Sequence, residues 1–236
     1  MAEANILVVD DEKEIAELVE LYLVSDGYKV RKAFSAAEGL DILKNEDIDL
    51  AVLDIMMPGM DGLEMCRKIR EFSNIPIIMA SARSGDIDKI MGLSTGADDY
   101  ITKPFNPLEL VARVKSQLRR YLQFNQNGTK QPEVRQECEI SLHGLEMSRE
   151  DHRVVVCGEE IKLTPIEFDI LYLLASNPGK VFSADEIFWK VWNEEPYEAN
   201  STVMVHIRRL RSKMKEDTRD EKIITTVWGV GYKIEK

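Results

Sequence analysis

Five short runs of aliphatic and β-branched residues, Ile6 to Val9, Lys29 to Ala33, Leu50 to Leu53, Pro76 to Ala80 and Asp99 to Thr102, alternate with amphipathic stretches through the first 120 residues. This alternation constrains the chain more tightly than any other feature. Strands separated by helix-length segments pair in parallel, because a parallel pair needs a crossover, and the crossovers cover both faces of the sheet. The stretch after the first run reads as such a crossover: Ile15, Leu18, Val19 and Tyr22 fall at i, i+3, i+4 and i+7 and make one apolar face to lay on the sheet. Beyond Phe124 the periodicity stops, and the polar segment NQNGTKQPEVRQ, with Gly128 and Pro132, predicts a linker over 124–137. The expected organisation is a first domain over 1–123 and a second over 138–236, both of ordinary domain size.

The second segment is ordered differently. Short strand-like pieces from Glu139 to Leu163 precede three helical stretches, about Pro165 to Ser176, Ala184 to Trp192 and Ser201 to Lys215. A terminal hairpin over Ile223 to Ile234 turns at Gly229-Val230-Gly231. Thr164 and Ser183 each stand three residues before a glutamate, Glu167 and Glu186, the spacing of a capping box, and Pro165 suits a first helical position.

The net charge of −11 argues against a nucleic-acid partner only as a global sum. Residues 1–124 carry −7 and residues 125–236 carry −4, yet the stretch 201–215 holds five bases, Arg208, Arg209, Arg211, Lys213 and Lys215, and no acid. A phosphate backbone responds to the local field. On a helical wheel Val203, Ile207, Leu210 and Met214 share a narrow arc that would be buried, which turns Ser201, Val205, Arg208, Arg209 and Ser212 outward. Arginines beside small polar residues suit base edges and phosphates. With Thr202, Arg211 and Lys213 added, these are the candidate DNA contacts, Val205 being placed to touch a thymine methyl. The plainer alternative for such a helix is a solubilising basic face.

No run approaches the roughly 18 apolar residues of a membrane span, and the N-terminus opens directly into ILVV without a basic leader, so the expected location is the cytoplasm. Cys66, Cys138 and Cys157 are odd in number and far apart, which gives neither a disulfide framework nor a zinc knuckle.

Chemistry concentrates at the strand ends of the first domain. Asp10 and Asp11 follow the first strand and Asp54 closes the third, and in an open parallel sheet ligands bind at the carboxyl ends, above all where strand order reverses. If the order is 2-1-3-4-5, the first and third strands are neighbours at the reversal and the carboxylates meet. Three carboxylates at close range repel one another and call for a hard, oxygen-loving cation such as Mg²⁺. Ser81 ends the fourth strand as a hydroxyl donor and Lys103, before Pro104, ends the fifth as a point charge suited to phosphoryl oxygens. An aspartate after a strand is often no more than a turn cap; four strand ends carrying complementary groups are harder to ascribe to chance.

The segments DD at 10–11, LDIMMPGMDG at 53–62, MASA at 79–82 and GADDYITKPF at 96–105 resemble a response-regulator receiver domain. With VMVHIRRLRSKM and TTVWGVGYKI the resemblance extends over nearly the whole chain to the OmpR/PhoB class of winged-helix transcription factors. It implies a five-stranded doubly wound α/β receiver of strand order 2-1-3-4-5, followed by an α+β winged helix-turn-helix domain. It further implies that Asp54 is the phosphoacceptor, that Asp11, Asp54 and the backbone carbonyl of Met56 ligate Mg²⁺ directly with Asp10 acting through water, and that Lys103 assists. Ser81 and Tyr100 match the family's switch pair. Lys89, Asp98, Asp99, Glu109, Arg113 and Arg120 match positions of intersubunit ion pairs on the face made by the fourth helix, fifth strand and fifth helix. The implied partners are a sensor histidine kinase as donor, a second copy of the chain after phosphorylation, promoter DNA arranged as direct repeats, and RNA polymerase. One departure stands out: Trp228 occupies the position before GVGY where many relatives carry arginine, and an indole cannot replace arginine in a narrow minor groove. Two rivals are weighed. A phosphatase using an aspartyl-phosphate would carry a second acid at position 56, which is Met, so a turnover enzyme is not expected; a winged helix that binds protein instead of DNA would not need the acid-free basic stripe.

Overall fold

The computed structural model describes residues 4–82, 92, 94–127, 139–193, 199–216 and 222–236, and among these the side chains of 123–127 and 199–200 are left aside. Packing divides the chain into two compact units, Met1–Tyr121 and Leu122–Lys236.

In the first unit β1 (Asn5–Val9), β2 (Lys29–Ala33), β3 (Leu50–Asp54), β4 (Ile77–Ser81) and β5 (Asp99–Thr102) form one parallel sheet of order β2-β1-β3-β4-β5. The described helices are α1 (Lys13–Ser25), α2 (Ala36–Asn45), α3 (Gly62–Arg70) and α4 (Pro107–Asn127). Strand side chains alternate between faces. Ile6, Val8, Leu50, Val52, Ile78, Ala80 and Ile101 meet Ala16, Val19 and Leu23 of α1 and Leu110, Val114 and Leu118 of α4 in one core cluster. On the other face α2 approaches so closely that a Cβ on Gly39 would lie 2.7 Å from Met65 Cε and 2.9 Å from Val9 Cγ2. The carboxylate of Asp61 accepts from Glu64 N–H at 2.7 Å and starts α3; the hydroxyl of Ser35 accepts from Glu38 N–H at 3.3 Å and starts α2.

The buried stripe of α1 departs from the expected one. It runs through Ala16, Val19 and Leu23, with Ile15 and Tyr22 packed at its margin, and Leu18 is 43% exposed. The buried arc is shifted toward the small residue Ala16, and Leu18 turns away. Helix α4 also runs on to Asn127, so that 124–127, expected as the start of the linker, are helical; 128–137 lie outside the described residues.

The second unit opens with the antiparallel sheet β6 (Ile140–Leu142), β7 (Leu145–Ser148), β8 (Arg153–Val156) and β9 (Glu159–Glu160). Helices α5 (Pro165–Ala175), α6 (Ala184–Trp192) and α7 (Ala199–Lys213) follow, and the chain ends in the hairpin β10 (Ile224–Val227) and β11 (Gly231–Ile234). One core holds Phe168, Leu171 and Leu174 of α5, Ile187, Val191 and Trp192 of α6, and Val203, Ile207, Leu210 and Met214. At Ser183 both halves of the capping box form, Glu186 N–H to Ser183 Oγ at 3.1 Å and Ser183 N–H to Glu186 Oε2 at 2.9 Å. The hairpin turns through Val227–Val230, closed by Val230 N–H to Val227 C=O at 2.9 Å, with Gly229 at φ +73° and Trp228 90% exposed at the tip. Phe182 and Tyr232 exchange backbone hydrogen bonds of 2.9 Å each way, and only a glycine fits beside them, since a Cβ on Gly231 would stand 1.9 Å from Phe182 O. The architecture is a doubly wound α/β unit followed along the chain by a winged helix. Cys66 is buried and Cys157 exposed, neither in a disulfide, while Cys138 lies outside the described residues.

Candidate functional site

Parallel pairing brings the ends of β1, β3, β4 and β5 to one edge of the first sheet, and the predicted groups gather there. Asp10 and Asp54 are each 3% exposed. Lys103 Nζ lies 2.7 Å from Asp10 Oδ2 and 3.1 Å from Asp54 Oδ2, and Glu12 Oε1 is 3.7 Å away. Each carboxylate uses its second oxygen locally: Asp10 Oδ1 accepts from Glu12 N–H at 3.0 Å, and Asp54 Oδ1 accepts from Met56 N–H at 3.2 Å. Asp10 thus serves as turn cap and as site residue together. Burial pushes its carboxyl above the usual range, with Asp54 adding to the rise and Lys103 opposing it. Burial works against the Lys103 ammonium as well, but the hydrogen bond to Asp10 and the charge of Asp54 outweigh it, so its pKa rises. Ser81, fully buried at the end of β4, accepts Lys103 N–H on its backbone carbonyl at 2.6 Å. Behind Asp54 a Cβ on Gly62 would stand 2.1 Å from the Asp54 carbonyl oxygen, so α3 seats against the strand end only as glycine.

Asp10, Glu12 and Asp54 bring carboxylate oxygens within 4.8 Å of one another. An all-oxygen set with Lys103 as counter-charge fits a hard divalent cation such as Mg²⁺. Glu12 is an addition to the expected set, and Asp11, expected as a direct ligand, is not a member of this group. The signal that could have found Glu12 is the third acid in the run DDE.

In the second unit the exposed side of α7 is narrower than the helical wheel suggests. Val203, Ile207, Leu210 and Met214 are buried as expected, but so is Val205, 3% exposed, which removes it as a contact for thymine. Arg209, 13% exposed, pairs with Glu167 Oε1 at 2.9 Å, and Lys213 reaches Glu167 Oε2 at 2.6 Å and Lys162 C=O at 3.1 Å. Glu167 is fully buried; burial alone would raise its carboxyl, but Arg209, Lys213 and the N–H of Thr164 at 2.9 Å hold it down to about 2. Arg211 turns to the hairpin, donating to Ile224 C=O at 2.7 Å and Thr226 Oγ1 at 2.8 Å, beside buried Glu216, which accepts from Ile223 and Ile224 N–H. Arg208 and Ser212 remain exposed, Ser201 and Thr202 half-buried. Met204, 48% exposed, completes the i, i+4, i+8 row with Arg208 and Ser212, a spacing present in the sequence but masked there because a methionine equally suits a core.

Comparison with known proteins decides what this pairing of units is. Residues 6–115 match the response regulator receiver domain and residues 158–234 the C-terminal domain of transcriptional regulatory proteins. The chain is 50% identical over 234 residues to the regulatory protein VanR of Enterococcus faecium and 48% identical over 232 residues to VanRc of Enterococcus gallinarum, covering 98% of this chain and 99% of each relative. It belongs to the response regulators of the OmpR/PhoB class. Among solved structures, a mutant of RitR matches with TM-score 0.74 at 26% identity over 99% of both chains. DrrB, an OmpR/PhoB homologue of Thermotoga maritima, matches with TM-score 0.50 at 33% identity, over 99% of this chain and 100% of its own.

In this response regulator the Tyr100 ring is buried, 8% exposed, against Gly92, where an added Cβ would come within 3.2 Å of it. The expected dimer residues divide. Asp98 is 1% exposed, pairs with Arg70 at 2.6 Å and accepts Ile77 N–H at 2.9 Å; Arg70 also donates to the carbonyls of Gly96 and Ile75, so Asp98 belongs to an interior clamp. Asp99 pairs with Arg113 of its own chain at 3.0 Å, and Arg113 bonds Glu109 at 2.9 Å. Arg120 is 8% exposed and Lys89 lies outside the described residues. Among the described residues no helix is long and apolar enough to cross a membrane.

Proposed function

We propose that this response regulator accepts a phosphoryl group on Asp54 from a sensor histidine kinase, then pairs with a second copy and binds promoter DNA. The observation that carries the reading is the placement of Asp54 Oδ2 3.1 Å from Lys103 Nζ at the point where strand order reverses, beside buried Asp10. In the transfer one oxygen of Asp54 attacks phosphorus, the phosphorus–nitrogen bond of the donor phosphohistidine breaks, and the bonding pair leaves on the imidazole nitrogen. Lys103 offsets charge on the phosphoryl oxygens and holds Asp10 and Asp54 in place, so that catalysis is mostly positioning. In the family's pattern Asp11 and Asp54 with the Met56 carbonyl would hold Mg²⁺ directly and Asp10 through water, and Glu12 would add a carboxylate at the rim. Bound there, Mg²⁺ supplies neutralisation of the anionic phosphoryl group. Ser81 and Tyr100 act as the switch, and the face carrying Asp99, Glu109 and Arg113 forms the two-fold contact.

The output unit reads DNA through α7, with Arg208, Ser212 and Met204 presented outward and Ser201 and Thr202 at their margin. Family membership supports direct repeats as the target, RNA polymerase as a partner, a cytoplasmic location, and activation as the direction of regulation. The likeness to the VanR proteins extends the proposal to vancomycin-resistance genes as targets. The test is labelling of the purified chain with a small acyl phosphate and Mg²⁺. Asp54→Ala should abolish a label that is labile to hydroxylamine, with the fold unchanged by circular dichroism; undiminished labelling of that variant, or a label stable to hydroxylamine, refutes the assignment.

A further inference from the structure

Adjacent arginines on one helix point about 100° apart, so Arg208 and Arg209 leave α7 in different directions. The apolar arc of Val203, Ile207, Leu210 and Met214 that seats α7 is held by the non-directional hydrophobic effect, which alone sets rotation loosely. Directional bonds set it here. Arg209 and Lys213, one turn apart, close on the two oxygens of a single carboxylate, Glu167, at 2.9 and 2.6 Å. That carboxylate is itself anchored, being fully buried and accepting Thr164 N–H at 2.9 Å at the start of α5. Two attachments at i and i+4 fix α7 both about its axis and along it. A buried ion pair is weak evidence for stability, and conformational specificity is the better-attested use of one.

We propose that Glu167 is a positioning residue for DNA recognition, which withholds Arg209 and Lys213 from the nucleic acid and so commits the contact row to Met204, Arg208 and Ser212. The proposal rests on the DNA-binding reading above and adds which cations are kept out of it. Neutralising Glu167 releases one or two cations beside the contact row. Non-specific attraction then grows while discrimination falls, because Arg209 competes with Arg208 for the groove.

The experiment uses the full chain and two probes, a mixed-sequence 30-base-pair duplex and a motif selected by the wild-type protein from a random duplex library. For Glu167→Gln the log–log salt dependence on the mixed duplex should steepen by about 0.9 to 1.8, one or two phosphates, and preference for the selected motif should fall roughly tenfold. Arg209→Gln should leave the salt slope where it is, and Arg208→Gln should flatten it by about 0.9. An unchanged slope and preference in folded Glu167→Gln, or equal weakening on both probes as a purely structural loss would give, overturns the proposal. If Glu167→Gln is unfolded by circular dichroism, Arg209→Gln decides alone: an unchanged slope supports the withheld cation and a flattened one overturns it. A wild-type chain without salt-dependent DNA binding takes down the DNA-binding reading and this proposal with it.

Discussion

Replacing Glu167 by Gln should cost the output unit a pH-dependent stability whose size follows from the geometry of its carboxylate. A glutamate ordinarily near 4.5 and held here at about 2 gains, at about 1.4 kcal/mol for each tenfold step in proton affinity, about 3 kcal/mol of stability in its charged form. The figure agrees with the 3 to 5 kcal/mol typical of breaking a buried pair, at its lower end because Lys213 remains about one-third exposed and can turn to water. The folded pKa lies below the unfolded one, so this contribution is fully present above about pH 4.5 and drains away as pH falls toward 2. The difference between wild type and Glu167→Gln should therefore be about 3 kcal/mol at neutral pH and about half of that near pH 3. Urea titration of the full chain followed by tryptophan fluorescence is the suitable assay, because Trp189, Trp192 and Trp228, the chain's three tryptophans, all lie in the second unit. A difference that stays constant from pH 7 to pH 3 would mean that lost packing, not lost charge, destabilises the variant, and the reasoning from ion pairing would be wrong.

Val205→Ala should lower the stability of the output unit by about 2 kcal/mol through a core cavity and leave sequence preference in a DNA selection unchanged, since the side chain is buried. Gly62→Ala should slow labelling of Asp54 by an acyl phosphate and cost about 1 to 3 kcal/mol in urea titration, because its Cβ would press on the Asp54 carbonyl oxygen at 2.1 Å. Arg113→Ala should prevent dimerisation of the phosphorylated chain in sedimentation experiments by freeing Asp99 and Glu109 to repel across the two-fold; an undiminished dimer would remove this face from the interface.

The parallel sheet was legible because a two-residue strand period and a helical period alternate without ambiguity, and the strand-end groups followed from it: Asp10, Asp54, Ser81 and Lys103 are adjacent because β1, β3, β4 and β5 are parallel and end at the same edge. The position of Glu12 was not legible, since its approach to Asp10 and Asp54 depends on how the chain turns after β1, which no periodicity records. On α1 the period was right and the phase was off by a fraction of a turn. The apolar residues Ile15, Leu18, Val19 and Tyr22 define one arc, but burial follows Ala16, Val19 and Leu23, an arc shifted toward a small residue that polarity alone does not single out.

The basic helix shows the deeper limit. A wheel sorts residues by polarity and so directs every arginine to water, whereas α7 points Arg209 and Lys213 at a buried acid and Arg211 at the Ile224 carbonyl and the Thr226 hydroxyl of the hairpin. The acid they meet, Glu167, reads locally as the third residue of a capping box, and it does accept the Thr164 N–H. Its second role is set by a tertiary partner 42 residues away, which lies beyond any window over which helical periodicity is counted. Charge within an amphipathic helix therefore marks solvent only where no buried counter-charge faces it. Among the described side chains of α7 that leaves the row through Met204, Arg208 and Ser212, with Ser201 and Thr202 at its margin, as the part open to another molecule.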